Sequence, residues 1–135
     1  RDGANIIDIG AVSSRPNANK VSSDNELKRI KPICDVIKNK KLYTQVSFSI
    51  DSYSPNVIEY ALKSGFNLVN DITGAMDNRV IELAIKYGAK LCIMHMQGTP
   101  KSMQINPQYN DVMVEISEFF EDRIAKCEAL GLSRK

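Results

Sequence analysis

Four short apolar runs, each followed by polar residues, restrict the folds open to this sequence. They cover residues 5–9, 46–50, 67–69 and 90–94. Runs of this length that contain β-branched or aromatic residues are typical of buried strands in a parallel sheet. Between them, apolar residues recur at intervals of three and four, which indicates amphipathic helices. The pattern therefore predicts four βα units.

The predicted helices have recognisable starting residues. Ser23 and Glu26 fit a capping box that opens the first helix, and Pro32 inside this helix is expected to kink or divide it. Pro55 suits the first position of the second helix, and the last helix covers roughly 109–130. The expected buried faces are Leu27, Ile30, Cys34 and Ile37; Val57, Ile58, Ala61 and Leu62; Val80, Ile81, Ala84 and Ile85; and Val112, Ile116, Phe119, Phe120, Ile124 and Cys127.

Two α/β architectures fit this pattern. A (β/α)8 barrel has about 250 residues, so four units in 135 residues make roughly half of one. A doubly wound open sheet is the alternative, although no glycine-rich nucleotide-binding fingerprint follows any strand. Gly131 repeats the glycine signal that precedes other strands, but no strand follows it. We therefore expect a piece of a larger βα protein, with residues 1–135 as a single partial domain and a mobile loop at about 10–22.

Charge, hydropathy and cysteine usage exclude several other classes. The 18 basic and 16 acidic residues are well mixed, so the net charge of +2 gives no reason to propose nucleic acid as a partner. No apolar run approaches the ~18 residues of a membrane span. The 3 cysteines lack C-x-x-C spacing, which indicates reduced, buried thiols in a cytoplasmic protein. The single histidine, His95, excludes a metal site built from several histidines.

A binding site is expected where the four strands end, because right-handed βα connections bring these ends to one face. Asp51 and Asn70 suit a ligand such as an aminopyrimidine, since a carboxylate accepts two N–H donors and an amide both donates and accepts. Ser14 and Arg15, on the loop after the first strand, suit an anion that is held and released. Met94 suits packing against a flat ring.

Five motifs resemble those of dihydropteroate synthase. They are Asn5-Ile6-Ile7-Asp8-Ile9-Gly10, Ser13-Ser14-Arg15-Pro16, Ser49-Ile50-Asp51-Ser52-Tyr53, Val69-Asn70-Asp71-Ile72, and Met94-His95-Met96-Gln97-Gly98-Thr99-Pro100 with Met103-Gln104. Their order and spacing agree over essentially the whole chain, which would cover roughly the second to fifth βα units of that family. Val12 replaces a family glutamate, and the family's amino-terminal asparagine and later Asp-Pro-Gly, lysine and Arg-x-His motifs have no counterpart.

The resemblance implies a TIM barrel enzyme of folate synthesis and a sulfonamide target. Such an enzyme joins 6-hydroxymethyl-7,8-dihydropterin diphosphate to p-aminobenzoate and releases pyrophosphate with the help of Mg²⁺, whose protein ligand would lie outside this chain. Asp51 and Asn70 would read the pyrimidine edge of the pterin, and Met94 would form a pocket wall. The loop that closes over the diphosphate and p-aminobenzoate would contribute Ser14, Arg15 and Pro16. With about half of an active site, the chain alone is expected to be inactive.

Two other interpretations remain open. The first is the pterin-binding domain of a methyltetrahydrofolate-dependent methyltransferase, which has a similar aspartate and asparagine pair. The second is a non-catalytic, self-associating half barrel. For the synthase fragment as well, exposed sheet edges predict a homo-oligomer, and no nucleic acid or membrane partner is expected. Among single residues, Asp8 is expected to accept an internal hydrogen bond, Asp71 to be a turn former, and His95 to be scaffold.

Overall fold

The computed structural model describes residues 3–15 and 18–134, and its strands and α-helices alternate along the chain. The strands are β1 (Ile6–Ile9), β2 (Ser47–Asp51), β3 (Leu68–Asp71) and β4 (Lys90–Ile93). The helices are α1 (Ser23–Asn39), α2 (Pro55–Lys63), α3 (Asn78–Tyr87) and α4 (Val112–Ala129), and a 3₁₀ turn, Leu42–Thr44, precedes β2. The predicted alternation of strands and helices is confirmed.

The four strands form one parallel sheet in the order β1-β2-β3-β4. The helices α1, α2 and α3 pack against one another in sequence, and the main core lies between them and the sheet. A doubly wound sheet reverses its strand order at a switch point, whereas a barrel adds each strand beside the previous one. The sequential order therefore favours the barrel interpretation over the open sheet.

The start of α1 differs from the predicted capping box. The N-cap is Ser22, whose hydroxyl accepts a hydrogen bond from the Asn25 backbone N–H at 3.4 Å. The side chain of Glu26 does not return to the cap, because it binds Ser52 at the end of β2. Pro32 does not divide α1, which is one continuous helix. Its position is exposed, so water can satisfy the carbonyl that proline leaves without a donor.

The predicted buried faces are correct for most positions of the first three helices. Ile30, Cys34 and Ile37 of α1 and the predicted face of α2 are buried, as are the predicted residues of α3 apart from Ile85, which is 37% exposed. Leu27 is half-buried at the edge of the core. These faces pack on Phe48, Ile50 and Val69 of the sheet.

The predicted face of α4 is only partly covered. Cys127 is buried, Ile116, Phe119, Phe120 and Ile124 are half-buried, and Val112 is 46% exposed. Cys127 packs with Ala75 and Ile81 in a small second cluster, which is too small to cover the length of the helix. The prediction that all three thiols are buried also fails at Cys92, because strand alternation places it on the face of β4 that lies away from the helices. No helix in residues 3–15 and 18–134 is long and apolar enough to cross a membrane.

Candidate ligand-binding site

The two faces of the sheet carry different chemistry. Phe48, Ile50 and Val69 point towards the helices and belong to the core. Side chains alternate along a strand, so Asp51 and Asn70, which pair directly across β2 and β3, lie on the opposite face. The structure thus brings together the two residues that were predicted to bind a ligand edge.

Asn70 is held by a neighbour on the same face. Its Nδ2 donates a hydrogen bond to Asp8 Oδ2 at 3.2 Å, across β2. This contact agrees with the expectation that Asp8 is a hydrogen-bond acceptor, although Asp8 is exposed and not internal. It also fixes which end of the Asn70 amide faces Asp8. A ligand on this face would therefore meet an amide that is already oriented.

Asp51 lies half-buried at the last position of β2. Burial raises the pKa of its carboxyl group, and the negative charge of Asp8 raises this pKa further. Gly10, which follows β1, passes very close to this side chain. A Cβ atom at Gly10 would lie 3.1 Å from both Cβ and Oδ2 of Asp51, so a glycine leaves room for the carboxylate.

Glu26 is a buried carboxyl group that the sequence interpretation treated only as a cap. It accepts a hydrogen bond from the Ser52 hydroxyl at 2.7 Å, and burial followed by the charge of Asp51 raises its pKa while the Ser52 bond opposes this shift. One signal in the sequence could have revealed it. Glu26 precedes Ile30 by four residues, and so continues the buried stripe of α1 by one helical turn.

Asp71 neighbours Asn70 but points to the other face of the sheet, where it is fully buried. Its Oδ1 accepts hydrogen bonds from the Thr73 N–H and hydroxyl, both at 2.7 Å, and its Oδ2 accepts one from the Ala75 N–H at 3.0 Å. Ala75 has a φ of +57°, a left-handed conformation that is unfavourable for a residue with a Cβ. Asp71 therefore holds the β3–α3 loop, as expected of a turn former.

A cavity of about 450 Å³ opens where the strands end. Its volume is in the range of small-molecule sites, and it is lined by all four loops that follow the strands. The loop after β1 contributes Val12, Ser13, Ser14, Arg15, Ala18, Asn19 and Lys20. The other lining residues are Glu26, Asp51, Ser52, Tyr53, Ile72, Thr73, Met76, Met96, Gly98, Thr99, Pro100 and Lys101.

Charges of opposite sign line different parts of this cavity. The carboxyl groups of Glu26 and Asp51 lie at the end of the sheet, while the cations Arg15, Lys20 and Lys101 lie on the loops. Such a site suits a ligand that has N–H donors at one end and an anionic group at the other.

The other predicted site residues lie in different places. Asn70 is beside Asp51 but does not line the cavity, and Met94 directly follows β4, 36% exposed, where its N–H donates to the Asp71 carbonyl at 3.2 Å. Met76 and Met96 line the cavity in its place. Pro16 lies outside the described residues. The roles of all six predicted residues in binding remain predictions.

His95 has an aromatic environment. Its ring stands edge-on to Phe119, with centroids 4.9 Å apart, and lies 6.0 Å from Tyr109. These contacts fix the loop after β4 against α4, which fits the expected scaffold role. Elsewhere in the described ranges, no group of three or more His, Cys, Asp or Glu side chains is placed to hold a metal ion. A metal site made of three such side chains is therefore not formed by the described residues alone.

A sequential parallel sheet, a helix layer on one face and a polar cavity at the strand ends together define part of an α/β barrel with a ligand site. Comparison with known families is more specific. The family model described as "Pterin binding enzyme" matches residues 1–135, and the chain belongs to this family.

Individual relatives agree with the resemblance to dihydropteroate synthase. The dihydropteroate synthase of Escherichia coli strain K12 is 39% identical over 133 residues, which cover 98% of this chain and 46% of the relative. That of Haemophilus influenzae is 37% identical over 134 residues, which cover 99% of this chain and 48% of the relative. The chain thus spans about half the length of the curated relatives that it matches.

Solved structures confirm the prediction of a partial TIM barrel. Dihydropteroate synthase from Yersinia pestis, solved in complex with a sulfonamide drug, has a TM-score of 0.88 and 39% identity, covering 97% of this chain and 46% of that one. The enzyme from Anaplasma phagocytophilum, with bound 6-hydroxymethylpterin-monophosphate, has a TM-score of 0.86 and 30% identity, covering 98% and 53%. These relatives favour the synthase over the methyltransferase interpretation.

Proposed function

We propose that this chain is the pterin-binding part of a dihydropteroate synthase. The reaction would condense 6-hydroxymethyl-7,8-dihydropterin diphosphate with p-aminobenzoate to give 7,8-dihydropteroate and pyrophosphate. The observation that carries this proposal is the separation of charge in the cavity, with Asp51 and Glu26 at the end of the sheet and Arg15, Lys20 and Lys101 on the loops. A pterin diphosphate has the matching arrangement, since its pyrimidine edge donates N–H bonds and its diphosphate is anionic.

The pyrimidine edge would bind at the end of β2. An ionised Asp51 accepts two N–H donors with its two oxygens, and the adjacent Asn70 amide, oriented by Asp8, reads the neighbouring positions on the ring. Partial burial of Asp51 strengthens these hydrogen bonds, because the surroundings are less polar than water. Met94 would pack against the ring from the end of β4.

The diphosphate would lie towards the loops. As the bond between the pterin methylene carbon and the diphosphate oxygen breaks, the oxygen keeps the electron pair and leaves a pterin cation. The aniline nitrogen of p-aminobenzoate then forms the new C–N bond and loses a proton. Arg15 and its neighbour Ser14 would bind the anionic leaving group, and closure of the loop at about 10–22, which includes Pro16, would exclude water from the cation.

The wider assignments follow from the same proposal. Mg²⁺ would be held by a protein ligand outside this chain, as the family resemblance implies, and the described residues form no cluster of three acids for it. The free thiols of Cys34, Cys92 and Cys127 suit a reducing compartment such as the cytoplasm. Since the chain spans about half of its relatives, we propose that it binds pterin without completing the reaction and that its open sheet edges promote homo-oligomers.

Calorimetric titration with 6-hydroxymethylpterin tests this function. Asp51→Ala should weaken binding by about 10- to 100-fold, because hydrogen bonds to a charged group contribute about 1.5–3 kcal/mol. Asp122→Ala is the control, since this acid on α4 is 73% exposed and does not line the cavity. Equal affinities for the wild-type and Asp51→Ala chains would contradict the proposal, as would a wild-type chain that does not bind pterin.

A further inference from the structure

We infer that Glu26 is a positioning residue for pterin recognition: it holds Ser52 and thereby fixes the carboxylate of Asp51 at the end of β2. This inference rests on the proposed function for its ligand but on the structure alone for its geometry. Neither the five family motifs nor the predicted site residues include Glu26, which the sequence placed only in a capping box.

Ser52 is held from three directions. Its backbone N–H donates to the Asn70 carbonyl at 3.2 Å, which extends the β2–β3 pairing beyond Asp51. Its hydroxyl donates to Glu26 at 2.7 Å and accepts the Ser54 N–H at 3.1 Å. The residue that follows Asp51 is thus tied to β3, to α1 and to the start of α2.

Asp51 is confined from its other side as well. Gly10 approaches so closely that an added Cβ would stand 3.1 Å from the Asp51 Oδ2 and 3.2 Å from its backbone oxygen. Fixing the backbone at Ser52 therefore fixes the direction of the neighbouring side chain within a tight space. A hydrogen-bonding carboxylate that moves by a fraction of an ångström loses the two-point contact with a flat ligand edge.

The chemistry of Glu26 indicates a role beyond packing. It occupies the buried stripe of α1 with Ile30 and Cys34, where an apolar side chain would avoid the cost of burying a carboxyl group. The groups that face it are the Ser52 hydroxyl and the charge of Asp51. Glu26 and Asp51 also line the same cavity. The buried acid Glu26 is thus linked to the ligand-binding residue Asp51 through Ser52.

Four single variants and one double variant separate this role from a general effect on folding. Glu26→Ala and Ser52→Ala remove the hydrogen bond from opposite sides, whereas Glu26→Gln keeps an oxygen that can accept from Ser52. Asp24→Asn is the matched control, because Asp24 is an exposed acid in the same turn of α1. Two readouts are needed: the affinity for 6-hydroxymethylpterin by calorimetry and the ¹³C NMR signal of the Asp51 carboxyl group without ligand.

We expect Glu26→Ala and Ser52→Ala each to weaken pterin binding about tenfold, because a displaced Asp51 keeps only part of its two-point contact; this is the lower end of the loss of about 10- to 100-fold expected for Asp51→Ala. Glu26→Gln should bind within about threefold of wild type, and the Glu26→Ala/Ser52→Ala double variant should lose no more than one single variant, because both remove the same contact. The Asp51 signal should shift in both alanine variants and stay unchanged in Asp24→Asn.

The inference is overturned if Glu26→Gln binds as weakly as Glu26→Ala, if the losses multiply in the double variant, or if the Asp51 signal does not respond to either alanine variant. A wild-type chain that does not bind pterin would refute the proposed function instead. The NMR comparison needs no ligand, so it would still decide whether Glu26 positions Asp51. Should Glu26→Ala fail to fold, Ser52→Ala and Glu26→Gln provide the same comparison.

Discussion

Replacing Asp71 by asparagine should destabilise the chain strongly although the shape of the side chain hardly changes. Oδ1 accepts two hydrogen bonds from Thr73, and Oδ2 accepts one from the Ala75 N–H at 3.0 Å. An asparagine has only one acceptor oxygen, so its NH₂ group must face a buried donor in either orientation. The loss of a charge-assisted bond and the burial of two opposed donors together cost about 3 kcal/mol. The left-handed Ala75 adds to the cost, because Asp71 no longer compensates for its strain.

Urea unfolding followed by circular dichroism measures this effect. With a slope of about 1.5–2 kcal/mol per molar urea, a loss of 3 kcal/mol lowers the midpoint by about 1.5–2 M. Asp77→Asn is the matched control, because Asp77 is an accessible N-cap of α3, where asparagine is an equally good cap and the ion pair with Arg79 is exposed. If Asp71→Asn and Asp77→Asn had the same midpoint, the reasoning about the buried acceptor would be refuted.

Three further experiments test other parts of the structure. Gly10→Ala should destabilise by about 1–3 kcal/mol in urea unfolding and weaken pterin binding, because the new Cβ would overpack against Asp51; an unchanged midpoint would contradict this. Burial raises the pKa of Glu26 above its ordinary value of 4.5, so the folded state holds the proton of this carboxyl group more tightly than the unfolded chain does. The free energy of unfolding therefore falls as pH rises from the unfolded-state pKa to the folded-state pKa of Glu26, and Glu26→Gln should make this fall shallower. Sedimentation velocity should show self-association that rises with concentration, since Ile6 and Ile7 of the edge strand β1 are 53% and 40% exposed, and a monomer at all concentrations would oppose it.

Local pattern was sufficient to predict most of the fold. The strands and the helices α1–α3 carry a clear periodicity because each buries one face against a neighbour that the chain itself supplies. The same reasoning was less successful for α4, where most of the predicted face is only half-buried and Val112 is 46% exposed despite its helical spacing. Spacing indicates which residues share a face, but the partner that buries this face has to be present in the structure. Pro32 does not divide α1, since the effect of a proline depends on whether water reaches the freed carbonyl.

The candidate site was predictable for residues on the strands, because strand alternation decides which face of the sheet each side chain lies on. Asn70 and Asp71 are adjacent and chemically similar, yet one lies beside Asp51 and the other holds a buried loop, as the period of two requires. The closeness of Glu26 to Ser52 could not be predicted in this way. These residues are 26 positions apart, and their hydrogen bond depends on how α1 lies across the end of β2.

The two buried carboxyl groups show how one fold separates stability from recognition. Asp71 is fully buried on the helix side, where backbone and hydroxyl donors satisfy both oxygens and stabilise a strained turn. From the described residues Glu26 accepts one side-chain hydrogen bond, from Ser52, and its other surroundings include the charge of Asp51 and the cavity. A carboxyl group with fewer donors stabilises the fold less for the same cost of burial. The presence of Glu26 beside Asp51 is therefore better explained by the ligand that Asp51 must recognise than by the stability of α1.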